Sequence, residues 1–147
     1  MLKGACLAQR GETRLALDEY RHAIKLNPSD SQAILGAMEA EICLELYGDA
    51  IITYEQLNQN QLSDKERVVA AALHSIALAL SGASYDVALK PINELDVKLS
   101  TRSDWCTVEI DRHLQRLGEV GFDSSRLSAA NSIQQLFKQH FTDSDHE

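Results

Sequence analysis

One pattern of small and aromatic residues recurs along this chain at a nearly fixed interval. The three copies are Ala16, Tyr20 and Ala23; Ala50, Tyr54 and Leu57; and Ala88, Ile92 and Leu95. The first interval is 34 residues and the second is 38, so we expect extra residues in a turn of the third copy. A period of this length is typical of repeated helix hairpins. Such hairpins stack on one another because a single hairpin cannot bury its apolar face alone.

The composition favours helices throughout. The chain has 147 residues, of which 44% are hydrophobic and 24% charged, and this suits one domain with a buried core. It has only two prolines and seven glycines, and only 5% of its residues are aromatic. A sheet-rich domain uses more glycine and more aromatic residues. An all-α fold is therefore predicted.

The signals that begin and end helices are clearest early in the chain. Residues 12–26 form an amphipathic run with apolar residues at three- and four-residue steps. Pro28 should end this helix and hold Asn27 in an extended conformation. Ser29 with Gln32 then predicts a capping box that opens the next helix.

With these residues the chain resembles a tetratricopeptide repeat array, whose unit is a helix hairpin. The best match is residues 1–28, and its matching positions are Gly4, Leu7, Gly11, Ala16, Tyr20, Ala23 and Pro28. The resemblance implies a right-handed superhelix of antiparallel hairpins within one domain, residues 1–141. The hairpins would span about 1–28, 29–62, 63–100 and 104–141, followed by an acidic flexible tail, 142–147.

The second and third units depart from the family pattern. Glu45 stands where the turn glycine belongs, while Gly48 offers a later turn. In the third unit Ser63 and Glu66 predict a capping box, and a turn is expected near Gly82. The same unit also contains Pro91, which should kink its second helix or make that helix start late.

Both ends of the array are irregular. Residues 104–118 and 123–141 predict a last helix pair without the repeat signature, and either a degenerate repeat or a capping hairpin fits it; a cap is preferred. The first unit starts part-way into the family's pattern. Either the chain is a piece of a longer protein, or something covers the exposed end, and self-association through this incomplete hairpin would do so.

Charge and hydropathy exclude several functions. The net charge of −8 and the absence of a basic stripe argue against nucleic acid as a partner. The longest apolar run, residues 68–80, contains His74 and is shorter than the roughly 20 residues that a membrane span needs. A protein partner is therefore expected instead.

The cysteines indicate a reducing compartment. Cys6, Cys43 and Cys106 are odd in number and match no metal-ligand spacing, so buried reduced thiols are expected. A cytoplasmic location follows from this, and a periplasmic one stays open for a piece of a larger exported protein.

No motif in the sequence predicts catalysis, a cofactor or a metal. His74 interrupts an apolar run and is expected to be a satisfied buried or edge histidine. Asp111 and His113 are two residues apart, so a helix would point them to different faces. Three glutamates are expected on a solvated helix face: Glu39, Glu41 and Glu45.

The resemblance implies a concave groove lined by the first helix of each hairpin. The residues at these positions are Gln32, Leu35, Gly36, Glu39, Ile42 and Cys43 in the second unit, and Ala70, Leu73, Ala77 and Leu80 in the third. One branch of the family clamps a carboxy terminus with lysine and asparagine. This chain has Leu35, Glu39, Leu73 and Ala77 at the matching positions, so that ligand is not expected.

Apolar groove residues beside an acid suit an amphipathic helix with basic flanks, or an extended apolar segment. The alternative is that residues 68–82 form a central helix packed on both sides, which leaves no groove. The leading functional prediction is a non-enzymatic scaffold or adaptor module, which could belong to a larger protein. The runner-up is a small chaperone similar to the three-repeat chaperones of bacterial secretion systems, and a phosphotransfer module or other enzyme comes last.

Overall fold

A computed structural model describes residues 12–57, 62–95, 105 and 108–141. These residues form seven α-helices and no strand, which confirms the all-α prediction. The helices are α1 (Thr13–Leu26), α2 (Ser31–Cys43), α3 (Tyr47–Glu55), α4 (Asp64–Ser81), α5 (Tyr85–Asn93), α6 (Val108–Glu119) and α7 (Ser124–Phe141).

The first helix ends as the proline signal predicts. Asn27, which precedes Pro28, is extended at φ −146° and ψ 90°. The cap of α2 differs from the prediction, because Asp30 and not Ser29 stands directly before the first helical residue. The Asp30 carboxylate accepts a 3.1 Å hydrogen bond from the backbone N–H of Ala33. The predicted Ser29–Gln32 capping box is therefore wrong.

The turn between α2 and α3 lies at Glu45. This residue has a φ of 64°, the left-handed conformation that glycine adopts most easily. Gly48 lies inside α3, so the prediction of a later turn at that glycine is wrong. The chain thus keeps the turn at the position the repeat pattern assigns to it and places a glutamate there.

The signals of the third unit are mostly confirmed. Ser63 and Glu66 form the capping box of α4, and the helix ends at Gly82 with a φ of 109°. The start of α5 is not delayed, because Ser84 caps its first turn through the Val87 N–H. Pro91 lies in the last turn of α5, so the helix continues for only two residues beyond the position that lacks an N–H donor.

Neighbouring helices pack together along the chain up to α5, and the pattern then changes. The helices pack in the pairs α1 with α2, α2 with α3, α3 with α4, and α4 with α5. The C-terminal pair folds back: α7 packs along α4 and touches α5 only slightly, while α6 packs against α2. Both α2 and α4 are therefore enclosed on several sides.

The repeat positions lie largely in the interior. Buried members are Ala16, Tyr20, Ala50, Ala88 and Ile92, and partly buried ones are Ala23, Tyr54, Leu57 and Leu95. Pro28 is exposed. Gly4, Leu7 and Gly11 lie outside the described residues. No helix in the part of the chain that the structure describes is long and apolar enough to cross a bilayer.

Candidate functional site

The residues predicted to line a groove are mostly inside the protein. Gln32 is exposed, and Glu39 and Cys43 are partly buried. The buried ones are Leu35, Gly36, Ile42, Ala70, Leu73, Ala77 and Leu80. The helices α6 and α7 pack on α2 and α4, so the groove is closed. For α4 this agrees with the alternative prediction of a central helix packed on both sides. Most of these residues are therefore enclosed in this structure, and a role for them in partner binding stays a prediction.

The contact between α2 and α6 follows one register. Three pairs meet, each 66 residues apart: Glu39 with Trp105, Cys43 with Glu109, and Tyr47 with His113. The pairs advance by four residues on both segments, so the two segments run parallel. Glu39 and Cys43 lie in α2 and Glu109 and His113 in α6, whereas Tyr47 begins α3 and Trp105 precedes α6. We call these six residues the α2–α6 seam.

Trp105 and Glu39 form the first pair of the seam. The indole Nε1 of Trp105 donates a 3.0 Å hydrogen bond to Glu39 Oε2. Burial raises the pKa of Glu39 to about 7, although the Trp105 hydrogen bond lowers it, and the nearby Glu109 raises it further. The prediction that Glu39 lies on a solvated face is wrong, because α6 covers it.

The second pair involves a thiol. Cys43 Sγ donates a weak 3.7 Å hydrogen bond to the backbone carbonyl of Glu109. Burial, followed by Glu39 and Glu109, raises the pKa of the Cys43 thiol. A thiol held protonated is a poor nucleophile and a poor metal ligand. Cys43 is free, as expected of a reduced thiol; Cys6 and Cys106 lie outside the described residues.

His113 and Tyr47 form the third pair, with 3.0 Å between the Tyr47 hydroxyl and His113 Nε2. Only 2% of His113 is exposed, and its Nδ1 has no hydrogen-bond partner among the described residues. Burial, and then the charge of Arg116, lowers the pKa of His113 to about 4, so the ring is neutral at pH 7. Asp111 points elsewhere and accepts a hydrogen bond from Gln134, which agrees with the prediction of different faces.

A second buried acid lies on the opposite side of α2. Glu41 is 2% exposed and accepts hydrogen bonds from Thr53 at 2.8 Å and from Arg21 at 3.1 Å. Burial raises the pKa of Glu41, although the bonds from Thr53 and Arg21 lower it. This acid ties α1, α2 and α3 together. The prediction that it is solvated is wrong, whereas Glu45 is exposed as expected.

His74 is the histidine of the apolar run. It is half-buried and stacks on the ring of Tyr54, with 4.0 Å between the ring centroids. Its Nδ1 is buried and finds no hydrogen-bond partner within the described part of the chain, so the expectation that it is fully satisfied is wrong. Burial lowers the pKa of His74, and this favours a neutral ring that packs as an aromatic residue.

One concave surface lies beside the seam, and another lies on the outer side of α7. The first, of about 390 Å³, is lined by the start of α1 and by α6, and includes Arg14, Arg112 and Arg116. The second, of about 980 Å³, follows α7 from Ser124 to Gln139, and Asp123 is the sole charged residue among its described lining residues. The second surface is therefore depleted of charge, which is typical of contact surfaces and not of catalytic pockets.

The described residues contain no group of three His, Cys, Asp or Glu side chains that could hold a metal ion. Sequence reasoning missed Trp105 and Glu109 as partners of α2, and His113 as the partner of Tyr47 at the start of α3. Their four-residue spacing is visible in the sequence, but the offset of 66 residues gains meaning only once α6 is placed beside α2.

The fold and the seam together define an all-α protein built from packed helix hairpins. No family model matches the chain, and it matches no curated protein and no solved structure.

Proposed function

We propose that this chain is a non-enzymatic protein-interaction module of tetratricopeptide-like hairpins, and that the side of α2 facing α6 is where it takes a helix of a partner. The observation that carries the proposal is the constant register of the seam. Three consecutive pairs, 66 residues apart, place the amphipathic α6 and the preceding Trp105 along the C-terminal half of α2 and the start of α3, as a helical ligand would lie in a groove.

The order of helix packing supports the repeat architecture. Each helix from α1 to α4 packs on the next, and the alanines of the repeat register, Ala16, Ala50 and Ala88, are fully buried. Small residues at these positions let neighbouring helices approach closely. Hairpin arrays of this kind expose extended surfaces that suit binding of other proteins.

Apart from Glu39, whose pKa is about 7, the titratable groups of the seam favour a binding role over catalysis. Burial keeps the Cys43 thiol protonated and the His113 imidazole neutral, because it raises the pKa of the first and lowers that of the second. Burial also raises the pKa of Tyr47 to about 12, so its hydroxyl stays protonated as well. A general base or nucleophile needs the opposite arrangement, with a group poised near the working pH.

Selection from a displayed library of random helical peptides tests the proposal. Wild-type protein and a Trp105→Ala variant would be immobilised, because loss of the indole removes one of the three contacts that hold α6. We expect selected peptides to repeat apolar residues at four- and three-residue steps and to be recovered more strongly by the variant. Equal recovery of unrelated peptides by both proteins, with helicity intact by circular dichroism, contradicts the proposal.

A further inference from the structure

We propose that the partner helix replaces α6 on α2, and that it is basic where α6 is acidic: a lysine or arginine at the position of Glu109, near Glu39, and an apolar residue opposite Tyr47. This inference rests on the proposed function and names the class of partner. Four observations on the seam lead to it.

The first observation is a pair of acids that face each other across the seam. Glu39 of α2 and Glu109 of α6 line the same small cavity, and the side chain of Glu109 is 15% exposed. The charge of Glu109 helps to raise the pKa of Glu39. Arg112 pairs with Glu109 at 3.3 Å, while Glu39 receives a neutral indole N–H. A cation at the position of Glu109 would remove the repulsion and give Glu39 an opposite charge.

The second observation is the fit of His113. Its ring is enclosed, and its buried Nδ1 has no hydrogen-bond partner in the ranges that the structure describes. An unsatisfied buried polar atom weakens the docking of α6 on α2. An apolar residue at this position avoids that loss, and the partly buried Tyr47 hydroxyl can turn to water.

The third observation is the apolar stripe that α6 contributes. Ile110, Leu114 and Leu117 are buried and advance by four and three residues. These positions belong to the main core cluster together with Leu35 and Ile42 of α2. A replacing helix must supply apolar residues at the same steps, which defines an amphipathic partner and not an extended one.

The fourth observation is that α6 and α7 are anchored differently. The main contact of α7 is with α4, to which it brings the buried Ala130, Ile133 and Phe137. The contact of α6 with α2 is the seam. A turn containing Gly121, at φ 78°, joins the two helices. The fold therefore allows α6 to leave α2 while α7 stays on α4.

The test uses two peptides with the sequence of residues 105–119. The copy peptide carries Trp105→Phe and Cys106→Ser, and the basic peptide adds Glu109→Lys and His113→Leu. A control peptide carries serine in place of Ile110, Leu114 and Leu117. Trp105 is the single tryptophan of the protein, so its emission reports departure of α6. We expect the basic peptide to bind at least tenfold more tightly than the copy and to shift that emission to the red.

Protein variants locate the peptide. Tyr47→Phe with His113→Leu makes the third pair of the seam apolar, so we expect α6 to hold more firmly and the basic peptide to bind at least threefold more weakly. Glu39→Gln should abolish the preference for the basic peptide, whereas Glu94→Gln, at the exposed end of α5, should preserve it.

Several results overturn the inference. These are no binding of the basic peptide, affinity equal to that of the copy, binding of the serine control, or binding that leaves Trp105 emission unchanged. If the displayed library yields helical binders that lack the basic position, the proposed function stands and this inference fails. If neither the library nor any peptide binds, both fail.

Discussion

The indole of Trp105 donates its N–H to the carboxylate of Glu39 over 3.0 Å, across 66 residues of chain. Glu39 therefore lies between the hairpin that carries it and the C-terminal segment that covers it. Its protonation connects pH to how firmly that segment is held.

Glu39 should make the protein less stable as pH rises. Its pKa of about 7 in the folded state exceeds the ordinary 4.5, so the folded state keeps a proton that the unfolded state loses between these values. Stability falls as pH rises from about 4.5 to 7. Glu39→Gln should stabilise the fold by about 1 to 3 kcal/mol at pH 8 and leave it nearly unchanged at pH 4. Urea unfolding at both pH values checks this, and equal effects at both would contradict it.

His113 has the opposite dependence. Its pKa is lowered from 6.5 to about 4, so the stability it contributes is present above pH 6.5 and is lost as pH falls towards 4. Between pH 7 and 4, the double variant Tyr47→Phe with His113→Leu should lose about 2 to 3 kcal/mol less unfolding free energy than the wild type. Thermal unfolding between pH 7 and 4 measures it. His22→Leu, at an exposed position of α1, serves as the control and should leave the acid-induced loss in place.

Glu45 is strained by its left-handed backbone. A φ of 64° costs a residue with a side chain more than it costs glycine, so Glu45→Gly should stabilise the protein by about 1 kcal/mol. The matched control is Glu94→Gly at the end of α5, where φ is −91° and glycine brings only added entropy in the unfolded chain. Chemical denaturation of both variants decides the point. A stabilisation of the same size at Glu94 would remove backbone strain as the reason.

Gly36 lets α1 approach α2. A Cβ at this position would overlap the ring of Tyr20, so Gly36→Ala should destabilise the fold by about 1 to 3 kcal/mol. Gly48→Ala in α3, where a Cβ meets no atom of the described residues within 4 Å, should instead stabilise it by about 0.5 to 1 kcal/mol. Melting temperatures of the two variants should move in opposite directions. Recovery of Gly36→Ala stability by Tyr20→Leu would tie the loss to this contact.

Arg21 compensates the buried Glu41. Arg21→Met leaves the carboxylate with its hydrogen bond from Thr53, so we expect a loss of about 2 to 3 kcal/mol at pH 8. The loss should shrink at pH 4, because a protonated Glu41 needs no cation. Arg14→Met, at an exposed position of the same helix, is the control. A pH-independent loss at Arg21 would indicate lost packing of its alkyl chain and not lost charge.

Local signals accounted for the helices and most of their ends. The Pro28 stop, the Ser63–Glu66 capping box and the Gly82 turn act on neighbouring backbone groups, so the sequence around them is sufficient. The Ser29 cap failed by one residue, because Asp30 caps the helix through the Ala33 N–H. The repeat register also marked the alanines at which consecutive helices meet, because only small side chains allow that approach.

The site was not predictable in the same way. Glu39 and Glu41 belong to a polar pattern that normally faces water. The distant C-terminal segment covers Glu39, whereas the neighbouring helices α1 and α3 enclose Glu41. The last helix pair was expected to be a capping hairpin, or else a degenerate repeat, at the end of the array. Instead, the last two helices fold back on α2 and α4, a choice that no local spacing expresses.

By itself the sequence determined an all-α chain, the positions of most helix ends and the small residues that let consecutive helices meet. These depend on hydrogen bonds and contacts within a few residues, or on a periodic pattern. Only the tertiary structure decided that α6 lies along α2 with an offset of 66 residues, closing the groove and enclosing Glu39 and His113. That outcome depends on which distant apolar faces bury each other, and many pairings of amphipathic helices satisfy the same local pattern.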